Sequence, residues 1–327
     1  ISHYPDATND DVLNAIADTY GMDKHQIIVG NGAAELLYAI CRLPGYTGAF
    51  VPAPGFSEYK EALEASKIPV RDIFYRPRED DNGKPYFEVP YLALETFAAE
   101  LKGQDGRIIV FLGNPNNPDG TLLDKDHIRT VASMLKDANS LLVIDESFID
   151  FVGNDPLQDN EHSMRSLVNE FDNVIVVHSF TKFYAVPGLR IGAAYGNEKL
   201  ISQLHQYIPS WSVNTLAQAY TEAALNDVDY IKRTKQKLNE ERAFMYDALD
   251  VIEGITVYPP SANFILFKVN HDGITANTIN ENLKKYNMIV RNCDTYVGLN
   301  NQWVRIAIKD QDTNIKLVEK LTDILKV

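Results

Sequence analysis

Cysteine is nearly missing from this chain: of 327 residues, only Cys41 and Cys293 carry thiols. Two isolated cysteines exclude a disulfide framework and fit a reducing compartment, so a cytoplasmic protein is expected. Long apolar runs are missing too. The longest, such as Leu141–Ile144 and Val174–Val177, are strand-sized; a membrane-spanning helix needs about 20 apolar residues, and no membrane association is expected. Positive charge is in deficit, with 31 Lys and Arg against 45 Asp and Glu and a net charge of −14. That balance repels a phosphodiester backbone, so no nucleic-acid partner is expected. It leaves room for a small anionic substrate, because local arginines and a helix N-terminus can outweigh the global charge at one site. No signal peptide is visible, and since the chain opens at Ile1 rather than Met, a short N-terminal piece is expected to be missing.

The common catalytic signatures are also lacking. The seven histidines include no i,i+4 pair, so no metal site is expected. Gly55-Phe56-Ser57-Glu58-Tyr59 lacks the second glycine of a nucleophile elbow, and no Walker lysine follows a glycine loop. Gly30-Asn31-Gly32-Ala33-Ala34-Glu35 starts like a dinucleotide fingerprint but has Glu35 where the third glycine belongs, which disfavours a nicotinamide enzyme.

What is present is a chain with 45% hydrophobic residues, enough for a real core, and a length that suits about two domains of about 150 residues. Short β-branched apolar runs at Ile27–Val29, Ala49–Pro52, Ile108–Leu112, Leu141–Ile144, Asn173–Val177 and Arg190–Tyr195 alternate with helical patterns. Those helical patterns fall around Asp10–Tyr20, Ala33–Cys41, Phe56–Ala65, Leu92–Leu101, Lys125–Leu135 and Glu198–Gln206. This is the α/β grammar of a mostly parallel sheet flanked by helices. The charged, Pro- and Gly-bearing stretch Tyr75–Pro85 is expected to be a surface loop. Near residue 210 the grammar changes to a long helix, Asp229–Leu249, then short strands Ile255–Tyr258, Asn263–Lys268, Met288–Arg291 and Trp303–Ile308, with helices Ile274–Tyr286 and Thr313–Leu325. A large domain over 1–210, with an N-terminal arm, and a smaller α+β domain over 211–327 are therefore expected.

Ligands of an open parallel sheet sit beyond the carboxyl ends of its strands. Four such ends carry chemistry. After Ile27–Val29, the turn Gly30-Asn31-Gly32 would turn the N–H groups of Gly32, Ala33 and Ala34 toward a phosphate; an ordinary glycine-rich turn reads the same way. After Ile108–Leu112, Asn114-Pro115-Asn116-Asn117-Pro118-Asp119-Gly120 forces turn geometry and offers amide donors. Asp145 ends a buried strand and needs a cationic or hydrogen-bonding partner there. After Asn173–Val177, Lys182 stands among Phe180, Phe183 and Tyr184, a setting that depresses an amine pKa, with Ser179 and Arg190 as phosphate-binding groups. A phosphate turn, an amide donor, a carboxylate and a lysine are together the inventory pyridoxal phosphate requires.

At these residues the chain resembles the fold-type I pyridoxal-phosphate enzymes of the aspartate aminotransferase superfamily, in the histidinol-phosphate aminotransferase branch. Ser179-x-x-Lys182 with Arg190 eight residues on is similar to that family's lysine motif, and Asn114-Pro115-Asn116-Asn117-Pro118-x-Gly120 to its asparagine motif. The resemblance implies that Lys182 is the Schiff-base lysine, Asp145 the partner of the pyridine nitrogen and Asn117 the donor to the ring oxygen. It implies that Phe56 is the stacked aromatic, and that Ser179, Arg190 and the Gly32, Ala33 and Ala34 amides form the phosphate cup. Tyr4 then reaches the cofactor phosphate of a neighbouring subunit, implying a homodimer with shared sites. Arg305 is the arginine for a substrate carboxylate and Arg291 a second arginine for a substrate phosphate.

One departure separates two branches. The aminotransferase pattern Asp-Glu-Ala-Tyr is here Asp145-Glu146-Ser147-Phe148, without the phenol. With Trp211-Ser212-Val213-Asn214 and Arg291-Asn292-Cys293 leading to Tyr296-x-Gly298-Leu299, the local choices resemble the threonine-phosphate decarboxylases of cobalamin biosynthesis. The resemblance thus implies an enzyme acting on a small phosphorylated amino acid, by decarboxylation. Transamination of histidinol phosphate is the alternative, and a catalytically silent relative is the non-enzyme one.

Overall fold

The computed structural model describes residues 2–103, 106–153 and 161–326. The first part of the chain runs α1 (Asp10–Tyr20), β1 (Ile27–Gly30), α2 (Gly32–Cys41), β2 (Tyr46–Ala53), α3 (Ser57–Ala65), β3 (Val70–Phe74), β4 (Arg76–Glu79), β5 (Pro85–Glu88) and α4 (Tyr91–Glu100). It continues through β6 (Arg107–Gly113), α5 (Lys125–Asp137), β7 (Leu141–Asp145), β8 (Val174–Ser179), α6 (Phe180–Phe183), β9 (Gly192–Gly196), α7 (Glu198–Leu204) and α8 (Thr215–Asn226). The remainder is α9 (Val228–Asp250), β10 (Ile255–Val257), β11 (Phe264–Val269), α10 (Ala276–Leu283), β12 (Arg291–Asn292), β13 (Trp303–Ala307) and α11 (Gln311–Leu325).

A seven-stranded sheet of order β1-β9-β8-β7-β6-β2-β3 forms the large layer. Its neighbours are parallel from β3 across to β8, and β9 alone runs antiparallel to both β8 and β1. Successive residues of a strand face opposite sides, and here both sides are covered. Ile109, Phe111, Val143 and Val177 pack under α2 and α3, while Val110, Leu112, Ile144 and Val176 pack under α1 and α5. That is why these strands are apolar throughout. A four-stranded antiparallel sheet, β10-β11-β13-β12, has its own core of Met245, Leu249, Ile265, Phe267, Val304 and Leu321 between α9, α10 and α11.

Two expectations need correction. The stretch expected as a surface loop over Tyr75–Pro85 is largely a hairpin, β4 paired with β5. Arg78 bridges to Glu88 at 3.0 Å across it, and the Asp80 carboxylate accepts from the backbone N–H of Asn82 and Lys84 to close the turn. Every residue of β4 is exposed, so no apolar alternation marks it as a strand. Of the expected strand Met288–Arg291 only Arg291 is in strand, β12 being Arg291–Asn292, because the Asn280 side chain clamps the N–H and carbonyl of Val290 in place of a neighbouring strand. Beyond residue 210, α8 packs on α1, and its Ala217 and Leu225 join the large-sheet core.

Candidate active site

The carboxyl ends of β1, β2, β6, β7 and β8 meet at one edge of the large sheet, where β9 begins. Gly30, Gly192 and Ser179 lie in one register row, and Asp145 lies beside Gly113 and Val177 in another. The sheet thus gathers residues spread over about half the chain.

Asp145 is buried at the tip of β7. Its Oδ2 accepts from the Tyr59 hydroxyl at 2.8 Å, and its Oδ1 from the backbone N–H of Ser147 at 2.8 Å. The next residue, Glu146, is fully buried and fully engaged, accepting from Asn114, Ser163 and the Met164 N–H. Adjacent carboxylates therefore have different duties: Glu146 ties loops together, while Asp145 points along the strand toward the site.

Lys182 sits on the single-turn α6 just beyond β8, half-buried, with its Nζ 4.1 Å from the centre of the Phe148 ring. Burial lowers its amine to about 8, opposed by the Asp145 charge and reinforced by Arg305 and Arg190. A lysine near 8 has a substantial neutral fraction at physiological pH, the form that attacks a carbonyl. Phe148 also meets Phe264 edge-on at 5.1 Å, and Arg305 lies 5.2 Å from the centre of the Phe264 ring. Both thiols, by contrast, are buried, and burial pushes Cys41 up to about 12 and Cys293 up to about 11, so neither is a nucleophile at neutral pH.

The expected phosphate cup is assembled at the start of α2. Gly32 has φ +82°, and a Cβ there would stand 2.5 Å from an Arg190 Nη2. Gly192 has no room for a Cβ either, because the Ala33 N would be 2.6 Å away. Glycines thus let β9 and the Arg190 guanidinium close on the first amides of α2, whose N–H groups have no partner within the helix. Arg190 itself is exposed, with φ +59°. Ser179 is buried and shares a 2.7 Å hydrogen bond with Thr181. Amides, guanidinium and hydroxyls drawn together by glycines with no room for a Cβ suit a phosphate group, and with Lys182 and Asp145 they fit pyridoxal phosphate.

Of the three asparagines after β6, two are scaffold. Asn114 Nδ2 donates to Glu146 and to the His162 carbonyl, and Asn116 Nδ2 donates to the Pro54 carbonyl at 2.9 Å. Asn117 alone turns to the site. Its Oδ1 accepts from Arg305 Nη1 and from the Tyr296 hydroxyl, the latter at 3.1 Å. Arg305 and Arg291 are directly paired across β13 and β12, so both side chains rise from one face of the small sheet. Phe56 stands at the N-terminus of α3 with its ring edge-on to Tyr59 at 5.7 Å. Tyr4 is the residue the fold leaves apart: it is 81% exposed and packs on Trp211 at 5.1 Å, outside the cluster. Tyr59 and Tyr296 were not singled out as site residues from sequence. Tyr59 follows Phe56 by one helical turn, which is the only local signal for it.

The sequence profile described as "Aminotransferase class I and II" matches residues 1–321. The chain is 33% identical over 98% of its length to the adenosylcobalamin biosynthesis bifunctional protein of Leptospira interrogans, of which it spans 35%. It is 31% identical over 98% of its length, and 83% of the relative's, to a putative threonine-phosphate decarboxylase of Caldanaerobacter subterraneus. Among solved structures, the histidinol-phosphate aminotransferase of Clostridium acetobutylicum superposes with a TM-score of 0.86 at 25% identity, covering 98% of this chain and 90% of that one. Further relatives carry one or the other of the last two names. The chain belongs to the class I and II aminotransferases, a family of enzymes dependent on pyridoxal phosphate.

Proposed function

We propose that this member of the class I and II aminotransferases decarboxylates a phosphorylated 3-hydroxy amino acid, with O-phospho-L-threonine as the substrate. The observation that carries the reading is the pairing of Arg291 and Arg305 on neighbouring strands, two guanidiniums on one face for a substrate with a phosphate at one end and a carboxylate at the other. The identity of 31% to a threonine-phosphate decarboxylase against 29% to a histidinol-phosphate aminotransferase supports decarboxylation over transamination, whereas Phe148 in place of a phenol suits either course.

Lys182 Nζ would attach the cofactor, Asp145 would hold a proton on its ring nitrogen, Phe56 would cover the ring, and Asn117 Nδ2 would donate to the ring oxygen. The Gly32, Ala33 and Ala34 amides, Ser179 and Arg190 would hold its phosphate. When bound, pyridoxal phosphate supplies an electron sink for the pair left by a breaking α-bond. The chain's own residues choose the bond. Arg291 would fix the substrate phosphate and Arg305 the carboxylate, so that the substrate would be held at both ends and its carboxylate oriented. Phe148 and Phe264 stand between Lys182 and Arg305 and would limit water there, and Lys182 Nζ would carry the proton for the substrate α-carbon. Tyr4 would reach the cofactor phosphate of a second copy, so the functional unit would be a homodimer; the exposed Tyr4–Trp211 ring pair suits an apolar contact between copies.

The test is turnover of O-phospho-L-threonine by the native chain and by Arg291→Ala and Arg305→Ala. CO2 release, with both variants at least about a hundredfold slower, supports the reading, since each removes a charge-assisted contact to one end of the substrate. Rapid 2-oxoglutarate-dependent transamination of histidinol phosphate, without CO2 from phosphothreonine, overturns it.

A further inference from the structure

Tyr296 belongs to no expected role, yet its hydroxyl stands where the cofactor-side and substrate-side residues meet. It donates to Asn117 Oδ1 at 3.1 Å and lies 3.4 Å from Arg305 Nη1, which itself donates to the same Asn117 oxygen. The three side chains come from distant parts of the chain: Asn117 from the loop after β6, Tyr296 from the turn after β12, Arg305 from β13. The turn that carries Tyr296 is pinned by backbone bonds, Cys293 N–H to the Trp303 carbonyl at 3.0 Å, Tyr296 N–H to the Cys293 carbonyl at 3.1 Å and Leu299 N–H to the Tyr296 carbonyl at 3.0 Å. Arg291 lies 5.7 Å from the centre of its ring. The phenol is therefore held in place.

We propose that Tyr296 is a positioning residue that fixes the Asn117 carboxamide, keeping its oxygen turned to the small domain and its Nδ2 turned to the cofactor while Arg305 is engaged with a substrate carboxylate. This rests on the reading of Asn117 and Arg305 given above. An amide can flip, and only its partners decide which end faces the site. Without substrate, two donors hold the Asn117 oxygen. A carboxylate competes for Arg305 Nη1 with the advantage of a charge-assisted bond, roughly twice as strong as one to a neutral amide oxygen. Once Nη1 has moved to the substrate, the Tyr296 hydroxyl is the donor left to Asn117. Among the described residues Asn117 Nδ2 has no hydrogen-bond partner, so nothing on that side opposes a flip.

The experiment uses the holoenzyme of the native chain, Tyr296→Phe and Arg305→Ala, and 2-phosphoglycolate, an amine-free molecule with one carboxylate and one phosphate. Cofactor loss is followed by transfer to an excess of an apo-acceptor, together with the visible band of the bound cofactor. Tyr296→Phe alone should lose cofactor at the native rate, because Arg305 still holds Asn117. With saturating 2-phosphoglycolate it should lose cofactor about fivefold faster than the native chain does, with a shifted band, the size expected for one hydrogen bond. Equal rates in variant and native chain with the analogue bound overturn the proposal. Faster loss in the variant without the analogue also overturns it, since that marks a general structural role. If Arg305→Ala binds the analogue as tightly as the native chain, the underlying reading of Arg305 falls, and this proposal with it.

Discussion

The Tyr59 hydroxyl donates to Asp145 Oδ2 at 2.8 Å, from a ring stacked on Phe111 at 5.3 Å and edge-on to Phe56. Burial and the Asp145 charge push the phenol well above its ordinary pKa, so it remains a donor at any physiological pH. It holds the carboxylate in one orientation from beneath, as Ser147 N–H does from the side. Tyr59→Phe should keep the fold and lower kcat about tenfold or more, the range for losing a hydrogen bond to a charged group. Asp145→Ala should still bind cofactor and lose several orders of magnitude. Steady-state kinetics beside a thermal melt separates the two effects from unfolding.

Lys182 gives a pH prediction with a defined sign. Its pKa is lowered, so the neutral amine predominates above about 8 and the ammonium below it. The rate at which pyridoxal phosphate attaches to apoprotein should therefore rise with pH and reach half its maximum near 8, and Lys182→Ala should show no attachment. Stopped-flow absorbance across this range checks both, and a midpoint near 10 would mean that the amine is not desolvated in solution.

Gly32 and Gly83 make a matched pair. Both have φ near +80°, but a Cβ on Gly32 collides with Arg190, whereas nothing lies within 4 Å at Gly83. Each alanine substitution should cost about 1 kcal/mol of stability from backbone strain. Only Gly32→Ala should also weaken cofactor binding, by about tenfold or more, because it displaces a guanidinium from the cup. Equal cofactor affinity in the two variants would remove Gly32 from the phosphate site.

Shared sites predict complementation between subunits. Lys182→Ala and Tyr4→Ala should each be severely impaired, and hybrids formed by mixing them should regain activity, because one site of each hybrid holds both native residues. Absence of recovery, or a monomer by light scattering, would contradict the shared-site arrangement.

Much of this site was legible in the sequence because its residues lie immediately past apolar strands. Asp145, Ser179 and Lys182 needed only strand ends and local spacing. Tyr59 and Tyr296 were not legible, since their meaning lies in partners 86 and 179 residues away, Asp145 and Asn117. The Asn114 and Asn116 scaffold was hidden for the same reason: identical side chains in one motif differ only in what the fold brings to them. The β4–β5 hairpin escaped because its strands are short and charged, and its one buried side chain, Phe87 packed on Tyr258 and Trp303, is too little to leave a period of two. Arg291 and Arg305 both fall in strands expected from the sequence, although the strand carrying Arg291 was expected to begin at Met288, and their direct pairing came only with the fold.

Which α-bond breaks is tested most directly with O-phospho-L-threonine labelled with 13C in its carboxyl group, followed by NMR in the presence of 2-oxoglutarate. The account predicts that the label leaves as CO2 and bicarbonate, in step with formation of O-phospho-1-amino-2-propanol and without formation of glutamate. Label retained in a keto acid, with glutamate appearing at the same rate, would contradict it.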